Sequence, residues 1–286
     1  MNQTAPAAAE RGRRIVHRTF GQRHGPVTRL MSPSDLGRRL KPFVFLDLFD
    51  AEPSAFSGFG WHPHSGIATL TWLWQGNVRY EDSTGGAGFL PAGGVEWFRA
   101  AGGAWHGGGG GNAGRSRGFQ LWIALPPDQE LGPAESRYQE PQEIETSGPA
   151  SVLLGSLDGV SSRIEAPSPI NYLAVRLAAG ESWRYEPPAG HDVAWIALAS
   201  GRLALPEPAE PAEAGELVVF EPSNQPIEIR AEADTEFVLG SAASHPHDLV
   251  LGYYSVHTSP AALEAGEARI AEIQAGLREK GLLPAR

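Results

Sequence analysis

Residues 61–76 read WHPHSGIATLTWLWQG, and the fold class is decided there. From Ile67 to Trp74 β-branched and aromatic residues fill a run of strand length, and Gln75-Gly76 ends it with a turn. Just before it stands His62-Pro63-His64. On an extended segment residues i and i+2 point to one side with Cα atoms about 6–7 Å apart, so two imidazoles can converge on a cation at bond lengths of about 2 Å. Pro63 cannot donate to a strand ladder, which suits an edge or a strand start.

Runs of the same kind extend outward from this stretch. Upstream lie RIVHRTF from Arg14 and PFVFLDLF from Pro42. Downstream lie NVRYED from Asn77, GFLPAG from Gly88, VEWFRA from Val95 and RGFQLWIAL from Arg117. The second half repeats the rhythm with NYLAVRL from Asn171, VAWIALASG from Val193, ELVVFEP from Glu216 and EFVLGS from Glu236. With 35 Gly and 24 Pro in 286 residues, short punctuated strands are favoured over long helices. The expected class is therefore all-β, with two similar units arranged as sandwiches or barrels. Residues 1–12 are expected to be a disordered arm, 13–135 and 136–258 the two β domains, and 259–286 a terminal helix. Ser259-Pro260 is its cap and first turn, and Leu263, Ile270, Ile273 and Leu277 form its apolar stripe, which should pack on the β domains. Residues 206–215, PEPAEPAEAG, read as a polar hairpin loop.

Composition removes several function classes. The net charge of −10 argues against a nucleic-acid binder, whose phosphate contacts need a positive surface. Nine basic residues do cluster in residues 1–41 (Arg11, Arg13, Arg14, Arg18, Arg23, Arg29, Arg38, Arg39 and Lys41) and read as a solvated arm. The absence of cysteine excludes disulfides, thiolate metal sites and a Cys nucleophile. No Gly-x-Ser-x-Gly elbow precedes a helix. No signal-like or membrane-spanning stretch is visible, so a cytoplasmic, monomeric protein without membrane contact is expected.

A lone His-x-His is a weak signal, and two surface or core histidines would look the same. His106, 42 residues after His64, strengthens it, because one or two hairpins can bring a third imidazole opposite the pair. His245-Pro246-His247 repeats the tripeptide without a matching third histidine at similar spacing and reads as polar loop chemistry; His257 lies ten residues on. Trp61 and Trp105 flank the histidines and are candidates to line a pocket for a flat aromatic molecule. Trp72 shares the parity of His62 and His64 if the strand has no bulge, and fits either a pocket wall or a packed interior. Glycines 107–111 cannot ligate or fill space and would leave a pocket mouth uncovered at Gly108.

PFVFLDLF, the segment from His62 to His106, and GFQLWIAL resemble, in order and spacing, the N-terminal domain of the pirin family over residues 42–125. The resemblance implies a bicupin, two packed antiparallel β-barrel (jelly-roll) domains, with one divalent metal held in the first. That metal is usually iron, with Zn, Mn, Ni, Co or Cu as alternatives. It implies His62, His64 and His106 as ligands. The positions fourteen and twelve before Gly201 are Pro187 and Ala189, where the same offsets from Gly76 give His62 and His64, so the second unit lacks the pair. Two family carboxylates are missing: Gly108 stands where a fourth ligand, a Glu, is expected, and Ala68 replaces a second acidic residue. Three neutral imidazoles leave the ion its full charge, giving a stronger Lewis acid that is held less tightly. Glu96 and Asp82 are the nearest carboxylates in sequence.

Three readings follow from the resemblance. One is a dioxygenase of flavonol or catechol-type compounds, as in quercetin 2,3-dioxygenase. The second is a metal- or redox-responsive regulator that binds a protein partner. The third is a bicupin whose site has degenerated.

Overall fold

The structure, a computed structural model, describes residues 12–52, 58–112, 114–205 and 210–283. The expected disordered arm lies outside these residues except for Gly12, as does the first part of the acidic loop, residues 206–209.

Four antiparallel sheets stack in layers. A seven-stranded sheet has the spatial order Glu135–Gln139, Val95–Arg99, Ile67–Gln75, Ser116–Ala124, Phe43–Ala51, Val27–Met31, Gln22–His24. It faces a four-stranded sheet of Gly58–His64, Ala104–Gly109, Asn77–Asp82 and Ala87–Pro91. Phe49 and Leu73 from the larger sheet meet Leu90, Val78 and Tyr80 from the smaller. The second unit repeats the plan. A seven-stranded sheet centred on Val193–Ser200, Thr235–Ala242 and Ile170–Leu177 covers four short strands, Ser182–Tyr185, Ile227–Ala231, Arg202–Ala204 and Ala212–Glu213. The fold is an all-β bicupin with one helix, Pro260–Glu279, at its C-terminal end.

The two large sheets pack back to back, and this contact is the main core. Leu70, Trp72, Trp97 and Phe119 of the first meet Tyr172, Trp195, Leu217 and Val238 of the second, all nearly without solvent exposure. Burying each such side chain contributes roughly 1.5–3 kcal/mol. The two interiors differ. The second is filled by apolar side chains such as Val175, Leu198, Ile229, Phe237 and Leu239. The first holds buried polar groups, among them Asp47, His64, Thr71, Glu96 and His106.

Two sequence expectations need correction. The strand Ile15–Thr19 does not join the first unit. It pairs with Leu217–Phe220 at the edge of the second large sheet, so the first described strand belongs to the second unit and the chain then crosses to the first. The basic segment is also only in part solvated where it is described: Arg23, Arg38 and Arg39 are exposed, but others are tied to the second unit. Arg13 is fully buried and donates to the carbonyls of Glu221 and Asp192, and its pKa is lowered to about 10 by burial. Arg14 pairs with Glu221, and Arg18 grips Glu216 with two nitrogens. These acceptors sit on the second unit, where no local pattern in residues 1–41 reveals them.

Candidate metal centre

His62 and His64 sit on the edge strand Gly58–His64, where Pro63 costs the ladder nothing. Ala104–Gly109 pairs with it so that His106 lies directly opposite His62. Strand alternation then turns all three rings toward the cavity between the sheets. One nitrogen from each ring lies within 4.8 Å of the other two. His62 Nε2 and His106 Nε2 are 3.1 Å apart, and the ring centroids are separated by 4.5, 4.9 and 5.0 Å.

Each Nδ1 faces an acceptor. His62 Nδ1 donates to the Gly60 carbonyl at 2.8 Å and His64 Nδ1 to the Tyr254 carbonyl at 3.0 Å, while His106 Nδ1 lies 3.6 Å from a carboxylate oxygen of Glu96. The Nε2 atoms of His62 and His106 share a hydrogen bond that an ion would replace, and the Nδ1 partners favour the tautomers that present Nε2 to it. The His62 pKa is lowered to about 4 and that of His64 falls far below its ordinary value, chiefly through burial and then through the neighbouring His106. Both rings are therefore neutral near pH 7, the form that ligates. The residues fit a divalent ion on one further observation: His64 Nε2 is buried without a hydrogen-bond partner. An orphaned buried acceptor costs about 1–3 kcal/mol, which coordination would recover.

The acidic positions behave differently from expectation. Gly108 borders the cavity, but the ladder shifts register between His106 and Gly108, and a Cβ at 108 would lie 2.2 Å from the Arg79 carbonyl oxygen. Ala68 is fully buried in the core between the large sheets, so it and Gly108 do not mark the same place. Asp82 is turned to Thr84 and Tyr138. Glu96 does reach the cavity, with its Oε2 accepting from Thr71 Oγ1 at 2.7 Å.

Of the aromatics expected to line a pocket, Trp72 does not. It is buried edge-to-face against Trp74 in the inter-sheet core. The strand is not continuous with His62 and His64, because Ser65-Gly66, with Gly66 at φ +74°, interrupts the chain and resets the alternation. Thr71, not Trp72, faces the cavity. Trp61 and Trp105 border it, but both pack under the C-terminal helix with Ile270 and Leu277, and the Trp105 indole donates to the Ile270 carbonyl at 3.0 Å. Residues adjacent to inward histidines must point outward, so alternation alone could have foreseen this.

The cavity measures about 980 Å³. Trp122 stacks on Phe45 at 4.0 Å and meets His64 edge-on at 4.7 Å. Phe98 lies flat against His106 at 4.5 Å. Tyr254, held at φ +59°, sits 5.5 Å from the His62 ring, and Phe59 is exposed at 6.4 Å from it. Alternation from Glu96 and Gln120 would have identified Phe98 and Trp122, whereas nothing near Tyr254 signals its role. His245 and His247 lie apart from the three-histidine group, their rings 5.2 Å from each other. His257 is buried between Glu130 and Ser65, at 3.0 and 2.9 Å.

Comparison with known proteins gives a consistent picture. Residues 25–123 match the family model described as Pirin. A Pseudomonas aeruginosa protein provisionally named a quercetin 2,3-dioxygenase is 37% identical over 168 residues, which cover 54% of this chain and 59% of that protein. A pirin-like protein of Caulobacter vibrioides is 28% identical over 271 residues, covering 85% and 90%. The crystal structure of a quercetin 2,3-dioxygenase from Acinetobacter baumannii superposes with a TM-score of 0.79 at 23% identity, covering 91% of this chain and 95% of that one. An Escherichia coli pirin in complex with nickel(II) has a TM-score of 0.63 at 20% identity, covering 82% and 96%.

Proposed function

From the premise that residues 25–123 make this chain one of the pirin family, we propose that it is a divalent-metal-dependent dioxygenase of flavonol or catechol-type compounds. One observation carries the reading. Three imidazole nitrogens, one of them otherwise orphaned, converge within a cavity of about 980 Å³ that has aromatic walls and opens at Phe59 and Tyr254. His62, His64 and His106 would hold the ion. Imidazole donors suit Fe, Zn, Ni and Cu, and iron is our first choice.

A bound ion would supply a Lewis acid for a substrate oxygen and, if redox-active, a path for electrons to dioxygen. The chain supplies the rest. Trp122 and Phe45 offer a flat apolar wall, and Tyr254 and Phe59 border the mouth where a planar ring would enter. Arg29, paired with Asp47 and lying 3.9 Å from the Phe45 ring centroid, adds a cationic edge suited to an ionised phenol. The names of the Pseudomonas and Acinetobacter relatives support this substrate class.

A second reading, a metal-responsive regulator, is favoured by the missing carboxylate at Gly108. One experiment separates the two. The chain is reconstituted with Fe, Mn, Co, Ni and Cu, its metal content is measured, and turnover of quercetin is followed beside a His64→Ala variant. About one equivalent of metal with turnover, both lost in the variant, is expected. Metal without turnover in any form supports the regulator, and less than about a tenth of an equivalent in every form rejects both.

A further inference from the structure

We propose that Glu96 supplies to the metal centre the negative charge that residue 108 lacks, acting through the His106 ring. The inference rests on the metal-site reading above. Three observations carry it.

The first is steric. No side chain fits at position 108 with this backbone, because its Cβ would stand 2.2 Å from the Arg79 carbonyl oxygen. A carboxylate that acts on this centre therefore comes from elsewhere in the chain.

The second is position. Glu96 lies on Val95–Arg99 of the large sheet, across the cavity from His106 on the small one. It is 6% exposed, and one oxygen lies 3.6 Å from His106 Nδ1. Its other oxygen is anchored by the Thr71 hydroxyl at 2.7 Å, so the carboxylate is aimed and not free to swing into solvent. Phe98, two residues along the same strand face, lies against the His106 ring and limits its rotation.

The third is the contrast with the other two rings. His62 and His64 give their Nδ1 protons to neutral carbonyls of Gly60 and Tyr254. Only His106 faces an anion, and among the described residues Asp82, the other nearby carboxylate, is engaged with Thr84 and Tyr138. A carboxylate behind a ligating imidazole fixes its tautomer and raises the basicity of the ligating nitrogen. At 3.6 Å the pair is longer than a hydrogen bond, so in the metal-free chain the carboxylate acts on the ring as a nearby charge. Glu96 is thus a positioning residue, separated from the ion's place by the His106 ring.

The test is metal affinity, with no assay of activity. Co(II) and Ni(II) binding to the full chain is titrated by absorbance in competition with a chelator, for the wild type, Glu96→Gln and Thr71→Val. Glu96→Gln keeps the shape and an acceptor for Thr71 but puts a neutral NH2 group where the charged oxygen faces His106, and it is expected to weaken binding by about 10- to 100-fold. Thr71→Val frees the carboxylate and is expected to weaken it less. Loss of the Glu96→Gln effect when His106 is replaced by Ala would show that the carboxylate acts through that ring. If Glu96→Gln misfolds, Thr71→Val decides. A Glu96→Gln dissociation constant within about twofold of the wild type overturns the inference. Failure of the wild type itself to bind either ion would instead overturn the underlying site reading.

Discussion

Gly108 and Glu96 illustrate how much a single residue's backbone surroundings decide. Read along the chain, Gly108 is a deleted ligand, and restoring Glu would seem a repair. Its Cβ direction is occupied by the Arg79 carbonyl, so a side chain there must displace the neighbouring strand. Gly108→Glu is therefore expected to lower the thermal midpoint and leave metal affinity no higher than the wild type. A stable variant with tighter binding would show that the ladder at the register shift can move. The histidine cluster was legible at this scale because a pair two residues apart and a third 42 residues on fit the spacing of a resembling family. The partners of their Nδ1 atoms were not, since Gly60 and Tyr254 act through carbonyls that every residue possesses.

Among the elements, the strands were read most closely. NVRYED coincides with the observed Asn77–Asp82, and the runs beginning at Pro42, Arg117 and Val193 match strands to within one or two residues at each end. The helix is also as expected, capped by Ser259 Oγ accepting from the Ala262 amide. Its bearing face was less clear. Gly266, not one of the apolar stripe, makes the closest approach: a Cβ there would be 2.5 Å from both Ser65 Oγ and His257 Nε2. An exposed helical Gly→Ala change gains up to about 1 kcal/mol. Gly266→Ala is expected to reverse that sign and cost about 1–3 kcal/mol through overpacking, read as a lower urea midpoint. A stabilised variant would mean that the helix is not pressed onto this network. The same network lies one residue beyond His64, so the helix contributes to the rigidity of the metal-site strand.

At the scale of the whole molecule, burial of histidines makes stability depend on pH. His62, His64, His191, His245 and His257 all have pKa values below the ordinary 6.5, each mainly through burial. The unfolded chain then binds more protons than the folded one below that value. The stabilisation is complete above about pH 6.5 and is lost as pH falls through the folded values, which for His62 means toward about 4. Asp47, raised by burial, opposes this only at the acid end. Urea unfolding of the metal-free chain is expected to show a loss of about 2 kcal/mol or more between pH 7 and pH 5. A flat or rising profile would contradict it. Fold class and site were thus read with different success. The back-to-back packing of the large sheets and the return of Ile15–Thr19 to the second of them join residues that are far apart in the chain, and no local pattern records such contacts.

Period-two runs with glycine and proline punctuation determined by themselves that this chain is a double β unit, because those signals depend only on neighbours in sequence; the His-x-His tripeptide became a candidate metal site only with His106 and the family resemblance beside it. Where Tyr254 stands, which carboxylate stands behind His106, and where the basic residues find their partners were decided by tertiary structure alone. A turn such as Ser65-Gly66 reverses which face a strand presents, and a register shift such as that at Gly108 changes what a position can hold.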